Sequence, residues 1–244
     1  MVTELDAAVD FYGKVTNWTF ADGGAEFGHY RTCLADGRAA AGLGPAMSPD
    51  QPAAWTVYFA SEDVDATAKL ITENGGAVLA GPMDIGEICR IAIATDDVGA
   101  VFGVFQRGTS IGTEVVQEPG ALVWESGVFA DVAKARAFYG TVLGLEFEPI
   151  PGMEQDVYGA FKAGGEVVGG IGGLAGAPEG TPNGWTAFIE VADVDTAVAA
   201  AVSGGAKVLA AAEDTPFGRM GTLIDPFGAV IAVHGENNEP GEHA

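Results

Sequence analysis

Acid–base chemistry in this chain has few residues to draw on. There are three histidines in 244 residues, and one of them, His234, closes a β-type run at 229–234. An imidazole in such a run is either a satisfied core side chain or a ligand contact and general base. Thiol chemistry is signalled still more weakly. Cys33 and Cys89 stand alone with no C-x-x-C spacing, the pattern of two reduced core thiols. The P-loop and H-E-x-x-H are both missing from the sequence. The run Gly169-Gly170-Ile171-Gly172-Gly173-Leu174-Ala175-Gly176 departs from G-x-G-x-x-G and sits among β-type segments, so it reads as a small-residue strand and turn. Its counterpart, Ala40-Ala41-Gly42-Leu43-Gly44-Pro45, reads the same way, and such a strand lets a flat ligand lie close to the backbone.

The elements that must position these residues occur twice. Phe11-Tyr12-Gly13 returns as Phe138-Tyr139-Gly140, and Trp55-Thr56 as Trp185-Thr186. Asp63-Val64-Asp65 returns as Asp193-Val194-Asp195, Gly75-Gly76-Ala77 as Gly204-Gly205-Ala206, and Gly99-Ala100-Val101 as Gly228-Ala229-Val230. The offset of roughly 127 to 130 residues is that of a whole domain, far beyond a solenoid repeat of 20–50. Helix patterns fall at 6–15, 63–74, 131–143 and 193–203; all begin on aspartate and the last three close on glycine, while the first turns into Trp18-Thr19-Phe20. β-type runs fall at 29–34, 53–60, 77–80, 90–95 and 100–106, then at 121–129, 145–150, 158–163, 185–191, 207–211, 218–224 and 229–234. Each copy reads as strand, helix and three strands, done twice. One helix for every three or four strands is too few for a doubly wound parallel sheet and suits α+β architecture. The expected modules are 1–108 and 120–235, joined by a polar, turn-rich linker at 106–120. The first module has no room for an opening strand equivalent to 121–129. Its edge is then left open, covered by another chain such as a homodimer partner, or completed by residues upstream of Met1.

Composition narrows the partners. With 34 acidic against 11 basic residues, the formal charge of −23 repels phosphate backbones and anionic lipid surfaces, which argues against nucleic acid and membrane partners. The same acidity attracts cations or serves as a solubility device. No apolar run reaches the 18 or so residues of a membrane span. The first residues lack a basic, apolar leader, so the expected location is cytoplasmic.

These motifs, in this order and repeated, together with Asp225-Pro226-Phe227-Gly228 before the last strand, resemble the vicinal oxygen chelate superfamily. That group includes glyoxalase I, bleomycin resistance proteins, fosfomycin resistance enzymes and extradiol dioxygenases; the likeness is greatest to tandem, actinobacterial glyoxalase-like members. The resemblance implies tandem βαβββ modules whose mostly antiparallel sheets form cups with helices outside. It also implies metal ligands on the first, fifth and last strands of a module. Carried onto this chain, those positions fall on Trp124, on Trp55 and Trp185, and on Gly103 and Ala232. None of these side chains offers a metal lone pair, so no metal and no other cofactor is expected.

Strand alternation then suggests what each cup holds. With Trp185 inward, Ala187 and Ile189 follow; with Ala232 inward, Val230 and His234 follow; Trp124 shares a face with Ser126. The second cup is expected to offer Trp124, Ser126, Tyr158, Trp185 and His234, and the first Trp55, Val57, Phe59, Val101, Gly103 and Phe105. Glu125 is expected to face outward as a surface or interdomain group. The leading expectation is a metal-independent small-molecule binder of the bleomycin-resistance type, holding a planar or apolar compound such as an antibiotic or biosynthetic intermediate. The alternatives are a metal-independent lyase, isomerase or hydroxylase-like enzyme of secondary metabolism, with His234 as the catalytic candidate beside Tyr158 or Ser126, and a metal-dependent glyoxalase-type lyase.

Overall fold

The computed structural model describes residues 1–46, 48, 51–151, 153 and 157–238. The architecture is α+β. The first repeat contains α1 (Leu5–Thr16), β1 (Thr19–Asp22), β2 (Arg31–Ala35), β3 (Arg38–Leu43), β4 (Tyr58–Ala60), α2 (Val64–Glu73), β5 (Ala77–Ile85), β6 (Cys89–Thr95) and β7 (Val101–Arg107). The second contains β8 (Leu122–Phe129), α3 (Val132–Leu143), β9 (Glu146–Pro149), β10 (Tyr158–Ala163), β11 (Glu166–Gly173), β12 (Gly184–Glu190), α4 (Val194–Ser203), β13 (Lys207–Thr215), β14 (Gly218–Ile224) and β15 (Val230–Gly235).

Local chemistry explains the boundaries. Asp63, Asp131 and Asp193 each accept a hydrogen bond from the backbone N–H three residues on, opening α2, α3 and α4. Such a cap contributes about 1 kcal/mol. Gly144 closes α3 in the left-handed conformation that a helix end of this kind needs. The second aspartate of each Asp-Val-Asp motif has a separate task. Asp65 pairs with Arg90 and Asp195 with Arg219, and the same arginines reach Asp84 and Asp214. Those ties fasten each helix start to the neighbouring hairpin.

Compactness does not follow the two sequence repeats. One unit comprises Met1–Trp55, Thr113–Val123 and the segment from Ala187; the other comprises Thr56–Gly112 and Trp124–Thr186. Each unit takes one half from each repeat; three of these halves are βαβββ, and the half at the start of the chain is αβββ. The first unit holds β1-β2-β3 and the ladder β13-β14-β15-β12; the second holds β4-β7-β6-β5 and the ladder β8-β11-β10-β9. The pairs β4–β7, β8–β11 and β12–β15 are parallel, and the other ladders within the units are antiparallel. In the second unit, Phe59, Phe102, Phe129, Phe138, Tyr139 and Phe161 are buried under the helices and meet in tilted or edge-to-face contacts. In the first unit, Phe11, Tyr12, Val15, Trp18, Ile189, Leu223 and Ile231 belong to one buried cluster.

The sheet β1-β2-β3 has three strands where β8-β11-β10-β9 has four. Beyond β3, Val2 forms an isolated parallel bridge with Pro45, donating to Gly44 and accepting from Ala46. Near the other end, Glu114 donates its N–H to Ala39 and accepts the Ala39 N–H on its carboxylate. The free side of β3 is therefore bonded near both ends by this chain's own segments. Two expected strands also differ in extent. The run 53–60 yields only the three residues of β4, whereas β5 and β13 reach nine residues each by absorbing register shifts. β1 carries no strong alternation in the sequence.

Candidate functional site

The repeated motifs converge on two buried clasps. In the first unit the Trp55 indole donates to the Tyr12 hydroxyl at 2.7 Å, and Tyr12 donates to Asp225 at 2.6 Å. In the second, Trp185 donates to Tyr139 at 2.8 Å and Tyr139 to Asp96 at 3.0 Å. The other oxygen of each aspartate accepts two backbone N–H groups, from Phe227 and Ala229 or from Val98 and Ala100. Burial raises both tyrosines, which stay neutral donors. Burial also pushes Asp96 upward, against the hydrogen bonds that it accepts. In each clasp the tryptophan and tyrosine come from one repeat and the aspartate from the other, so the clasp stitches the halves of a unit together.

This arrangement corrects two assignments of facing. The parallel register Tyr58↔Gly103 places Val101, Gly103 and Phe105 with Tyr58, while Val57 and Phe59 point to the helix side. Likewise Phe188↔Ala232 and Glu190↔His234 place Val230, Ala232 and His234 opposite Trp185, Ala187 and Ile189. Alternation within one strand was sound; the relative phase of two strands was off by one residue, which flips a whole face. Trp55 and Trp185 thus commit their polar edge to the core.

Three expected residues do meet. In the second unit, Trp124 and Ser126 on β8 share the helix-free face with Gly170, Gly172 and Tyr158 through the registers Ser126↔Gly170 and Tyr158↔Gly172. The Trp124 indole donates to the Tyr158 hydroxyl at 2.9 Å, and Ser126 lies 3.0 Å from the same oxygen. A methyl group on Gly170 or Gly172 would overlap the Tyr158 ring, so the glycines let the phenol lie flat on the strand. Burial raises Tyr158, while the contacts with Ser126 and Trp124 lower it. Either hydroxyl can donate in the Ser126–Tyr158 bond; when Ser126 donates alongside the Trp124 indole, the phenol proton is left for a ligand acceptor. On the unit's other ladder the Tyr58 ring covers Gly103, in register with Ile93, and Phe105 and Ile91 lie on the same face. Tyr58 escaped the sequence reading; its signal was the glycine opposite. Tyr30 over Gly42 and Gly44 is the counterpart of Tyr158 in the first unit.

His234 falls in the first unit and the three residues above in the second, because the units interleave the repeats. Its Nδ1 lies 2.5 Å from Glu190 Oε2 and its Nε2 lies 2.7 Å from the Phe217 carbonyl oxygen. Both ring nitrogens are engaged, which leaves none for proton abstraction from a ligand while those bonds hold. Alternation places Glu125 on the face opposite Trp124 and Ser126 as expected, but with only part of it exposed. Burial pushes its carboxyl up to about 7.

A divalent cation does not fit the residues at the superfamily's ligand positions. Trp55 and Trp185 face away from Gly103 and Ala232 and so do not converge with them on one site; the Trp124 N–H is already used, Gly103 lies beneath the Tyr58 ring, and Ala232 offers only a methyl group. Among the described residues, no group of three or more His, Cys, Asp or Glu is placed to hold a metal ion.

Residues 1–132 match the glyoxalase/bleomycin resistance protein/dioxygenase superfamily, and residues 122–157 match the bleomycin resistance protein-like N-terminal family. A putative glyoxylase, CFP32, from Mycobacterium bovis is 34% identical over 240 residues, covering 95% of this chain and 90% of that protein. The anthracycline biosynthesis protein DnrV from Streptomyces peucetius is 34% identical over 247 residues, covering 94% and 88%. Among solved structures, the 2,3-dioxygenase LapB from Pseudomonas sp. KL28 has a TM-score of 0.62 at 12% identity, covering 100% of this chain and 92% of its own. The Mn(II)-bound glyoxalase from Novosphingobium aromaticivorans has a TM-score of 0.60 at 15% identity, covering 98% and 80%. The chain belongs to the glyoxalase/bleomycin resistance protein/dioxygenase superfamily.

Proposed function

We propose that this protein binds a planar small molecule of secondary metabolism in the cytoplasm, without a divalent metal, on the helix-free face of the second unit. The observation that carries this reading is the Tyr158 phenol held by Trp124 and Ser126 over Gly170 and Gly172. It supplies a phenol on the face that carries Trp124, and the unit's other ladder presents Tyr58 and Phe105 on one face. Such a surface suits a flat ring system with a carbonyl or quinone oxygen. The relatives described as anthracycline biosynthesis proteins support that ligand class. No helix among the described residues is long and apolar enough to cross a membrane. Trp55 and Trp185 are framework residues in this reading, and His234 is not a catalyst.

The test is a titration of intrinsic tryptophan fluorescence with a flat aromatic polyketide. Tyr158→Phe should raise Kd about tenfold, the loss of one buried hydrogen bond. A chelator should leave affinity unchanged. Binding that vanishes on chelation, or that ignores Tyr158→Phe, would overturn the reading.

A further inference from the structure

The two units present different chemistry at matching positions. In the second unit, β4, β7 and β6 align Tyr58 with Gly103 and Ile93, and Ala60 with Phe105 and Ile91. In the first unit, β12, β15 and β14 align Phe188 with Ala232 and Thr222, and Glu190 with His234 and Met220. An apolar row of Ala60, Phe105 and Ile91 has become Glu190, His234 and Met220. All six first-unit residues face away from the helices, because Ile189, Val233 and Leu223, which alternate with them, are buried in the core.

The charged row is held in place. The Phe217 carbonyl and the Glu190 carboxylate both only accept, so the two bonds require a proton on Nε2 and on Nδ1, which makes the ring an imidazolium paired with Glu190 Oε2. The two side chains retain 23% and 19% of their exposure, enough to be reached and too little to be freely solvated. Glu190 Oε1 has no hydrogen-bond partner among the described residues and is not sealed from solvent. His234 therefore holds Oε2 and leaves Oε1 as an acceptor on the strand face that also carries Phe188, Met220 and Thr222. The surrounding field of a chain with net charge −23 favours a cationic donor.

We propose that the first unit carries a second binding site, chemically distinct from the Tyr158 site, that takes small molecules bearing a protonated amine on a compact apolar body. The ammonium group donates to Glu190 Oε1, and the apolar body covers Phe188 and Met220. The site stands independently of the second-unit reading, because it uses no residue of that unit.

The experiment is an NMR titration of the intact protein with 2-phenylethylamine, using 2-phenylethanol as the neutral probe. The amine should shift the Met220 methyl and His234 ring signals, and the alcohol should bind about tenfold more weakly. Glu190→Gln should weaken the amine by a similar factor and abolish its preference over the alcohol, while Tyr158→Phe leaves both unchanged. If Glu190→Gln does not fold, Glu190→Asp, which retracts the carboxylate by one methylene, should reduce the same preference. Equal binding of amine and alcohol, no shifts at Met220 and His234, or shifts insensitive to both Glu190 variants would overturn the proposal. None of these outcomes would touch the planar-ligand titration, so the two readings fail separately.

Discussion

At the scale of single residues, glycines and one carboxyl make the sharpest tests. Gly170→Ala forces a methyl group into the Tyr158 ring. The phenol must leave its bonds with Trp124 and Ser126, so stability should drop by about 1–3 kcal/mol and planar-ligand binding should fall more than in Tyr158→Phe. A variant that binds normally would show that the phenol is not poised for a ligand. Glu125 gives a pH signature. Its folded carboxyl titrates at about 7, raised from 4.5 by burial. The folded state therefore holds the proton more tightly than the unfolded chain. This contribution is fully present below the unfolded value and lost as pH rises through that window. Glu125→Gln should remove this slope, gaining about 2 kcal/mol over the parent at pH 8 and little at pH 4, as read from urea unfolding at both values. An unchanged slope would mean that Glu125 titrates normally. Trp124, Ser126 and Tyr158 were legible as a group because two share a strand and the third begins the strand beside its glycine neighbour. Glu190 was not, because nothing in its own strand marks the residue across from it.

At the scale of elements, the sequence was most legible where local chemistry decides. All four helices lie within two residues of the expected limits: aspartate caps mark α2, α3 and α4, and amphipathic spacing marks α1, whose start has no side-chain cap. Strand phase was not legible, because pairing joins residues more than forty positions apart, as Tyr58 and Gly103 show. The same long reach hid the clasps. Tyr12 and Asp225 lie 213 positions apart, yet both belong to motifs that the repeat had marked. Their value can be measured. Tyr139→Phe leaves the Trp185 indole N–H and one Asp96 oxygen without their partner in a buried setting. The expected cost is about 2–4 kcal/mol, or a Tm lower by roughly 4–16 °C for a chain of this size. Tyr12→Phe should cost a similar amount in the first unit. A loss below about 0.5 kcal/mol in both variants would show that the clasps are incidental.

At the scale of the whole molecule, a repeat announces that two copies exist but is silent on which halves pack together. A βαβββ half buries its aromatic face only against another half, and either half of either copy offers a matching surface. Here each compact unit joins halves from different repeats, so residues 56–112 lie with 124–186, while 1–55 lie with 113–123 and the segment from Ala187. The clasps Trp55–Tyr12–Asp225 and Trp185–Tyr139–Asp96 both cross between repeats. This predicts the behaviour of the separated repeats. A fragment covering 1–110 carries Tyr12 and Trp55 without Asp225, and Asp96 without Tyr139 and Trp185. A fragment covering 111–244 carries the complementary remainder. Each alone should leave two apolar half-faces uncovered and show a broad, weakly cooperative thermal transition by circular dichroism. Mixed in equal amounts, the fragments should recover a cooperative transition and the planar-ligand affinity of the intact chain, because each supplies what the other lacks. A Tyr139→Phe change in the second fragment should weaken their association by the same 2–4 kcal/mol expected in the intact chain. If either fragment alone unfolds as sharply as the full protein, the repeats are self-sufficient domains and the interleaving of halves is not what holds this molecule together.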